Sequence, residues 1–425
     1  MTHPPEHAQF DTQRIRAARG GVVAALDVGT SKIACLIGNV GGADVIGDAP
    51  VRVSGFGHRV SRGLNGGQVV DMRATEDSLR AAVEAAERMA GTEVRRVIVG
   101  MTAGDIMGRL CAAEVPLNGA AVDDAHLTAG LQHAYEKMQS ETHEILHAIP
   151  IDYGIDGSTG ISDPRGMYGT TLKVTLHVVA APVGAVRNLL ACVERCYLEC
   201  EKLVATPYAS ALATLQPDEM ELGTLHVDMG GGTTGFTIFH GGAPVFIGVV
   251  PVGGHHVTSD LARGLNVSLA VAERIKTLHG SALDTPSSDR AQFEVPTPDG
   301  DHRMRPRGDI ARIIRPRIEE TLEMVAARVA ASGLAHLAAN RVVLTGGAAQ
   351  LSGVPELARA ILEKEPRIAA PAHIAGLPET ATAPSFAACA GLLNYAARRT
   401  ADALPETPEA SVWWRRLGGW LKRNF

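Results

Sequence analysis

The sequence predicts an α/β protein of two related lobes, with a subdomain inserted into the first lobe and a separate amphipathic helix at the C-terminus. Three observations carry that expectation. Two segments far apart in the chain, Leu26-Asp27-Val28-Gly29-Thr30-Ser31-Lys32 and Val227-Asp228-Met229-Gly230-Gly231-Gly232-Thr233-Thr234, are nearly the same. Each follows one short apolar run and precedes another, so each reads as strand, tight Gly/Thr turn, strand. Residues from about Thr102 to Val179 then break the first lobe's pattern, and every Trp of the chain lies at its end, beyond a polar linker.

Size and composition set the frame. At 425 residues the chain is too long for one ordinary core. It is 45% hydrophobic and 20% charged, as in a globular protein, and its aromatic content of 4% leaves Val, Leu, Ile and Ala to build the cores. A formal charge of −6 gives no reason to expect nucleic-acid binding. No apolar run is long enough for a membrane span, and the N-terminus lacks a signal peptide's apolar core. Six cysteines do not make a disulfide framework in a chain this long, so a reducing, cytoplasmic setting is expected.

The paired turns point to a ligand. Glycines let the backbone approach a polyphosphate and aim N–H groups at it, and the Thr and Ser hydroxyls add donors. An Asp at each turn, Asp27 and Asp228, suits a magnesium ion held against the same phosphates, usually through its waters. Alone, Asp27 to Lys32 would pass for an ordinary hairpin. Gly230-Gly231-Gly232 is harder to dismiss, because three glycines in a good strand pattern forfeit packing and chain entropy. Two facing copies imply a nucleotide clamped between the lobes. A third segment, Val342-Val343-Leu344-Thr345-Gly346-Gly347-Ala348, is again a buried strand running into paired glycines.

The elements follow in order. After the first hairpin come strands near Val51 to Phe56, a helix over Thr75 to Ala90 stopped by Gly91, and a buried strand Val94 to Val99. The insertion holds strands near Gly108 to Val115 and Leu172 to Val179 and a helix over Asp123 to Met138. Pro182 opens a helix to about Leu198, followed by strand Lys202 to Ala205 and helix Tyr208 to Leu215. Beyond the second turn, Ala243 to Val252 is a strand, and Gly253-Gly254 opens a helical stretch to His279. Asp284 to Arg307, rich in Pro, Ser and Asp, reads as loop. Asp309 to Ala331 is a long helix interrupted by Pro316. Strand Arg341 to Thr345 and helices Pro355 to Glu363 and Ser385 to Ala397 close the lobe, and Arg398 to Ala410 is a linker.

At the end of the chain Trp413, Trp414, Leu417, Trp420, Leu421 and Phe425 share one broad helical face, opposite Arg415, Arg416, Lys422 and Arg423. Bulky aromatics rimmed by cations fit a helix lying in a membrane interface. Each cation adds on the order of 1 kcal/mol at an anionic leaflet. Gly418-Gly419 weakens the free helix, so one copy should bind weakly and a polymer of copies firmly.

Two other patterns carry less. His143-Glu144-Ile145-Leu146-His147 matches the H-E-x-x-H of zinc peptidases, but that chemistry needs a helix. Here the segment runs into a β-type pattern containing Pro150, where the two imidazoles would stand about 13 Å apart. Cys192, Cys196 and Cys200, spaced as on a helix, read as small hydrophobes on a buried stripe rather than a metal site.

The three glycine segments resemble the two phosphate motifs and the adenosine motif of the actin, Hsp70 and sugar-kinase superfamily, in order and in spacing. With the insertion and the tail, the chain from about Gly21 to Phe425 resembles the FtsA family of bacterial cell-division proteins. Supporting segments are Val249-Val250-Pro251-Val252-Gly253-Gly254 with Thr258-Ser259-Asp260-Leu261, Ala272-Glu273-Arg274-Ile275-Lys276, and Leu344 to Gln350. The resemblance implies an actin-like fold that lacks one small actin subdomain and carries another on the opposite side. It divides the chain into a disordered N-terminus (1–19), a first lobe (20–101 and 180–206), the inserted subdomain (102–179), a second lobe (207–251 and 332–397) with a smaller subdomain (252–331), a linker (398–410) and a membrane-targeting helix (411–425).

Function follows as expectation. The resemblance implies ATP and Mg2+ as ligands. Asp27, Gly29, Thr30, Ser31 and Lys32 would form the first phosphate loop, and Asp228 with Gly230, Gly231, Gly232, Thr233 and Thr234 the second. Gly346, Gly347 and Ala348 would back the adenosine, and Glu273 with Lys276 would hold adenine or ribose, although an exposed helical ion pair describes those two equally. It also implies tethering of the tubulin-like protein FtsZ to the cytoplasmic face of the inner membrane at the division site, actin-like self-assembly and recruitment of later division proteins. The FtsZ tail would meet the smaller subdomain, where Arg303, Arg305 and Arg307 form either its basic contact or a solvated loop. Active relatives place a water-orienting Glu or Gln where this chain has Thr206, so slow hydrolysis is expected. A small-molecule kinase of the same fold would need a base such as Asp71 or Asp105, and a pilus-assembly relative would not need the Trp-rich tail.

Overall fold

The computed structural model describes residues 21–41, 51–103, 105–284, 290–296, 302–372 and 374–397. The N-terminal segment, the linker and the Trp-rich tail lie outside the described residues.

The first lobe is built on strands β1 (Val22–Val28), β2 (Lys32–Val40) and β3 (Val51–Val60), a small hairpin of β4 (Leu64–Asn65) and β5 (Gln68–Val69), helix α1 (Met72–Ala90) and β6 (Arg96–Met101). The insertion follows as β7 (Met107–Pro116), α2 (Asp124–Glu136), β8 (His143–Ile155), β9 (Ser158–Ile161) and β10 (Thr171–Pro182). The chain returns through α3 (Val183–Arg195), β11 (Glu199–Ala205), α4 (Thr206–Thr214) and α5 (Pro217–Leu222). The second lobe comprises β12 (Thr224–Met229), β13 (Thr234–His240), β14 (Ala243–Val250), α6 (Gly254–Leu265), α7 (Leu269–His279), β15 (Gln292–Pro296), β16 (His302–Pro306), α8 (Arg307–Ala331), β17 (Arg341–Thr345), α9 (Val354–Leu362), β18 (Glu365–Ile368) and α10 (Ala387–Ala397).

The relationship between the lobes is topological. The first sheet runs β11-β6-β1-β2-β3, and the second begins β18-β17-β12-β13-β14. In each, an antiparallel meander of three strands is extended by two parallel strands beside its first member. Strands buried on both faces need continuous apolar runs, and Ile33 to Ile37 and Val342 to Leu344 supply them. One apolar core fills the first lobe and extends to Phe239, Ile247 and Val343 of the second, another fills the rest of the second lobe, and a third lies inside the insertion.

Helices α4 and α10 lie against each other and are buried on nearly every side, and small and apolar residues dominate both. Gly391 permits the contact, because a β-carbon there would meet the Ala209 carbonyl. Asn394 donates from Nδ2 to the Leu212 carbonyl at 3.1 Å.

Several expectations need correction. The stretch read as loop over Asp284 to Arg307 contains the β15–β16 hairpin, closed by Phe293 and Val295 against the second core. The helix after it begins at Arg307 and runs unbroken through Pro316. The helical stretch to His279 is two helices, parted where Asn266 turns left-handed at φ 54°. The helix expected to reach Leu198 ends at Arg195, so Cys192 is helical, Cys196 is the cap and Cys200 stands on β11. Tyr197, left-handed at φ 61°, makes that stop without a glycine to mark it. The strand reading of His143 to His147 agrees with β8.

Candidate functional site

The two turns are closed by the same bond. Gly29 N–H donates to the Lys32 carbonyl at 3.1 Å, and Gly230 N–H donates to the Thr233 carbonyl at 2.9 Å. The turns then face each other with no side chain from the second intervening. A β-carbon on Gly231 would overlap the Ser31 hydroxyl and stand 3.1 Å from its Cβ. One on Gly232 would stand 2.5 Å from Thr30 Oγ1 and 2.9 Å from its methyl. Thr30 Oγ1 accepts from the Gly67 N–H at 3.0 Å, and Ser31 Oγ pairs with His255 Nε2 at 3.0 Å.

Two acids and one amine sit at the base of the turns. Burial pushes the Asp27 carboxyl up to about 6, against the pull of Lys32. Burial likewise raises Asp228 to about 6; a hydrogen bond from Ser210 and the charge of Lys32 oppose it, and Asp27 reinforces it. Lys32 is held below its ordinary value by burial, with Asp27 and Asp228 restoring part of the shift. Its amine bonds the Ser385 carbonyl and lies 4.5 Å above the Phe386 ring. Two carboxyls this reluctant to ionise are a ready place for a cation.

Beyond the turns, Lys276 Nζ reaches Glu273 Oε2 at 2.6 Å, Thr258 Oγ1 at 2.8 Å and the Gly254 carbonyl at 3.2 Å. Thr258 Oγ1 donates to Glu273 at 2.5 Å. Burial alone would raise the Glu273 carboxyl, but these bonds hold it below its usual value. On the same wall lie Gly346, left-handed at φ 89°, then Gly347 and Ala348. A β-carbon on Gly346 would stand 2.5 Å from Asp228 Oδ1 and from the Met229 carbonyl, so only glycine fits.

These groups line one cleft of about 1070 Å³, as large as the roomier small-molecule sites. Of the residues expected to hold the nucleotide, only Thr234 is not on the wall: it is buried and donates to the Val252 carbonyl at 2.8 Å. Sequence reasoning missed His255 and Ser385, which also line the cleft. Thr206 reaches the wall with its hydroxyl paired to that of Thr102.

Other candidates fall away from the cleft. Asp71 caps α1, accepting from the Ala74 N–H at 3.1 Å, and Asp105 is exposed outside the wall. Neither is placed as a kinase base. His147 is buried and accepts from the Ala205 N–H at 3.0 Å. Among the described residues no group of three or more His, Cys, Asp or Glu is gathered as a metal site, and no helix is long and apolar enough to cross a membrane. Arg305 pairs with Asp309 at 3.3 Å, Arg307 meets His279 at 3.0 Å, and Arg303 is exposed on β16. The tail residues Trp413 to Phe425 lie outside the described residues.

Comparison with known proteins agrees with this architecture. A family model described as "Cell division protein FtsA" matches residues 225–391, and one described as "SHS2 domain inserted in FTSA" matches residues 103–180. Cell division protein FtsA of Agrobacterium fabrum is 40% identical over 429 residues, covering 97% of this chain and 96% of the relative. That of Escherichia coli K12 is 31% identical over 424 residues, covering 97% and 100%. Among solved structures, the PilM-PilN type IV pilus biogenesis complex matches at a TM-score of 0.61 and 19% identity, over 88% of this chain and 98% of that one. MreB5 of Spiroplasma citri bound to ADP matches at 0.52 and 14%, over 89% and 96%. At such identities the structural likeness speaks for the fold alone, which is actin-like with an inserted SHS2 domain. On the full-length identity to its curated relatives, the chain belongs to the FtsA family of bacterial cell-division proteins.

Proposed function

We propose that this chain binds ATP with magnesium between its facing turns and uses the bound nucleotide chiefly to set the conformation in which it assembles. The observation that carries the reading is the pair of equivalent turns, each closed by the same glycine bond and each preceded by an aspartate, meeting in one cleft. Gly29 to Lys32 and Gly230 to Thr233 would cradle the phosphates with backbone N–H groups and hydroxyls. Lys32 would meet phosphate charge. Asp228, with Asp27 beside it, would hold the magnesium, through water or directly. Magnesium supplies neutralisation of phosphate charge when bound. Gly346 to Ala348 would face the nucleoside, together with Glu273 and Lys276.

Hydrolysis would be slow. Thr206 stands where a water-orienting carboxylate would serve, and its hydroxyl is engaged by Thr102. The ADP named with the Spiroplasma structure supports a nucleotide in a cleft of this fold.

Membership of the FtsA family supports the rest of the reading: FtsZ bound through its tail, copies assembled into an actin-like polymer, later division proteins recruited, and the peripheral attachment to the cytoplasmic face of the inner membrane made by Trp413 to Phe425. Three measurements on the full chain test it. Magnesium-dependent ATP binding by titration calorimetry should be saturable. Flotation with anionic liposomes should require residues Ser411 to Phe425, and an FtsZ tail peptide should be retained by the chain.

A further inference from the structure

Two adjacent hydroxyls of the first turn are held in different ways. Thr30 Oγ1 takes its bond from Gly67, within its own lobe, at 3.0 Å. Ser31 Oγ pairs instead with His255 Nε2, in the other lobe, at 3.0 Å.

Each end of this second bond is fixed to its own side by backbone. The Ser31 carbonyl accepts from the Ser61 N–H at the end of β3, at 3.0 Å. His255, in the first turn of α6, donates its N–H to the Gly231 carbonyl at 2.7 Å, and Gly254 donates to the Gly230 carbonyl at 2.9 Å. The imidazole therefore moves as one body with the second turn, and the serine with the first. A rotation that parts the lobes must stretch the Ser31–His255 bond, whereas the Thr30–Gly67 bond would be unaffected.

We propose that His255 is an interlobe latch: closure of the cleft brings its ring to Ser31, fixes that hydroxyl toward the phosphates and slows nucleotide escape. This rests on the reading of the cleft as a nucleotide site. The chemistry suits a reversible catch. Burial, followed by the charge of Lys276, keeps the imidazole below its ordinary value, so the ring is neutral and carries one donor and one acceptor. Ser31 can answer either, and in both cases its side-chain rotation is set by a residue of the opposite lobe. Gly231 makes the meeting possible, since any β-carbon there would stand in the serine's place. His255 is a positioning residue in this account.

The test is stopped-flow release of a fluorescent ATP analogue, chased with magnesium ATP, from the full chain. His255→Phe keeps the bulk and removes the bond; it should speed release about tenfold, equivalent to about 1.4 kcal/mol. His255→Gln, which retains a polar end, should recover most of that loss. In a Ser31→Ala background, His255→Phe should change release less than twofold, because its partner is already gone. His255→Leu, which also removes the bond, gives the same readout should His255→Phe fail to fold. Unchanged release in His255→Phe with binding intact, or an equal effect in both backgrounds, would overturn the latch and leave the nucleotide site standing. Absence of any binding by the unaltered chain would instead defeat the nucleotide reading, and the latch with it.

Discussion

The Ser31 hydroxyl occupies the space that a β-carbon on Gly231 would need. The two lobes therefore touch through one glycine turn and one hydroxyl-bearing turn, and neither turn can gain bulk without opening the cleft.

The neighbouring glycines should differ in sensitivity. Gly231→Ala meets a serine, whose single γ-atom can rotate away at the cost of the His255 bond. Gly232→Ala meets Thr30, where hydroxyl, methyl and Cβ lie 2.5, 2.9 and 3.0 Å from the new atom. A β-branched side chain has no rotamer that clears all three. Gly232→Ala should weaken ATP binding by about a hundredfold or more, and Gly231→Ala by about tenfold, on the scale of about 1–3 kcal/mol for overpacking. Titration calorimetry on both variants checks the order.

Asp228→Asn should separate stability from binding. A buried carboxyl raised from 3.8 to about 6 holds its proton more tightly folded than unfolded. Its contribution to stability is present below about 3.8 and is lost as pH rises through about 6. Without magnesium, the unaltered chain should therefore lose stability between pH 4 and 7 through Asp228 and Asp27, and Asp228→Asn should flatten that slope. At pH 7 the variant should be more stable by about 1–2 kcal/mol, while its affinity for magnesium ATP falls. Thermal melts across pH, with and without magnesium ATP, read both.

Turnover should be far below the roughly 1–100 s⁻¹ of kinases. Thr206 offers no carboxylate, and Asp71, the nearest kinase-like candidate, is committed to capping α1. Phosphate release from the full chain measures it, and a rate in the kinase range would contradict the assignment of ATP as an assembly ligand.

The three arginines should not respond alike to reversal. Arg303→Glu, at an exposed position on β16, should lower binding of an FtsZ tail peptide with little effect on melting. Arg305→Glu also breaks the 3.3 Å pair with Asp309 beside Phe293 and should cost about 1 kcal/mol of stability. Peptide titration and melting curves separate the two effects, and unchanged peptide affinity in Arg303→Glu removes that residue from the contact.

What the sequence revealed was local and repeated. Asp27-Val28-Gly29 and Asp228-Met229-Gly230 could be matched by eye because their chemistry depends on residue type at fixed spacing. Strand Arg341–Thr345 was legible to the residue, since a continuous apolar run ended at paired glycines. The hairpin Gln292–Pro296 with His302–Pro306 was not, because Pro, Ser and Asp around it imitate loop composition and only Phe293 and Val295 mark the inward face. Cys200 was misplaced because Tyr197, not a glycine, makes the left-handed stop. His255 gave no local signal: its partner lies in the other lobe, 224 residues away in the chain.

The second sheet does not end with its lobe. Beyond β14 it passes through the pair Gly248–Met107 into β7, β10, β8 and β9 of the insertion. Buried His177 stitches that seam, bonding the Pro244 carbonyl and the Ile247 N–H at 3.0 and 3.3 Å. An appendage that leaves the chain from one half of the molecule is thus woven into the fabric of the other. It is bound to its own half as well, through His147 at the Ala205 N–H and through Leu146, Ile149 and Val179 in the first core, so it braces both halves at once.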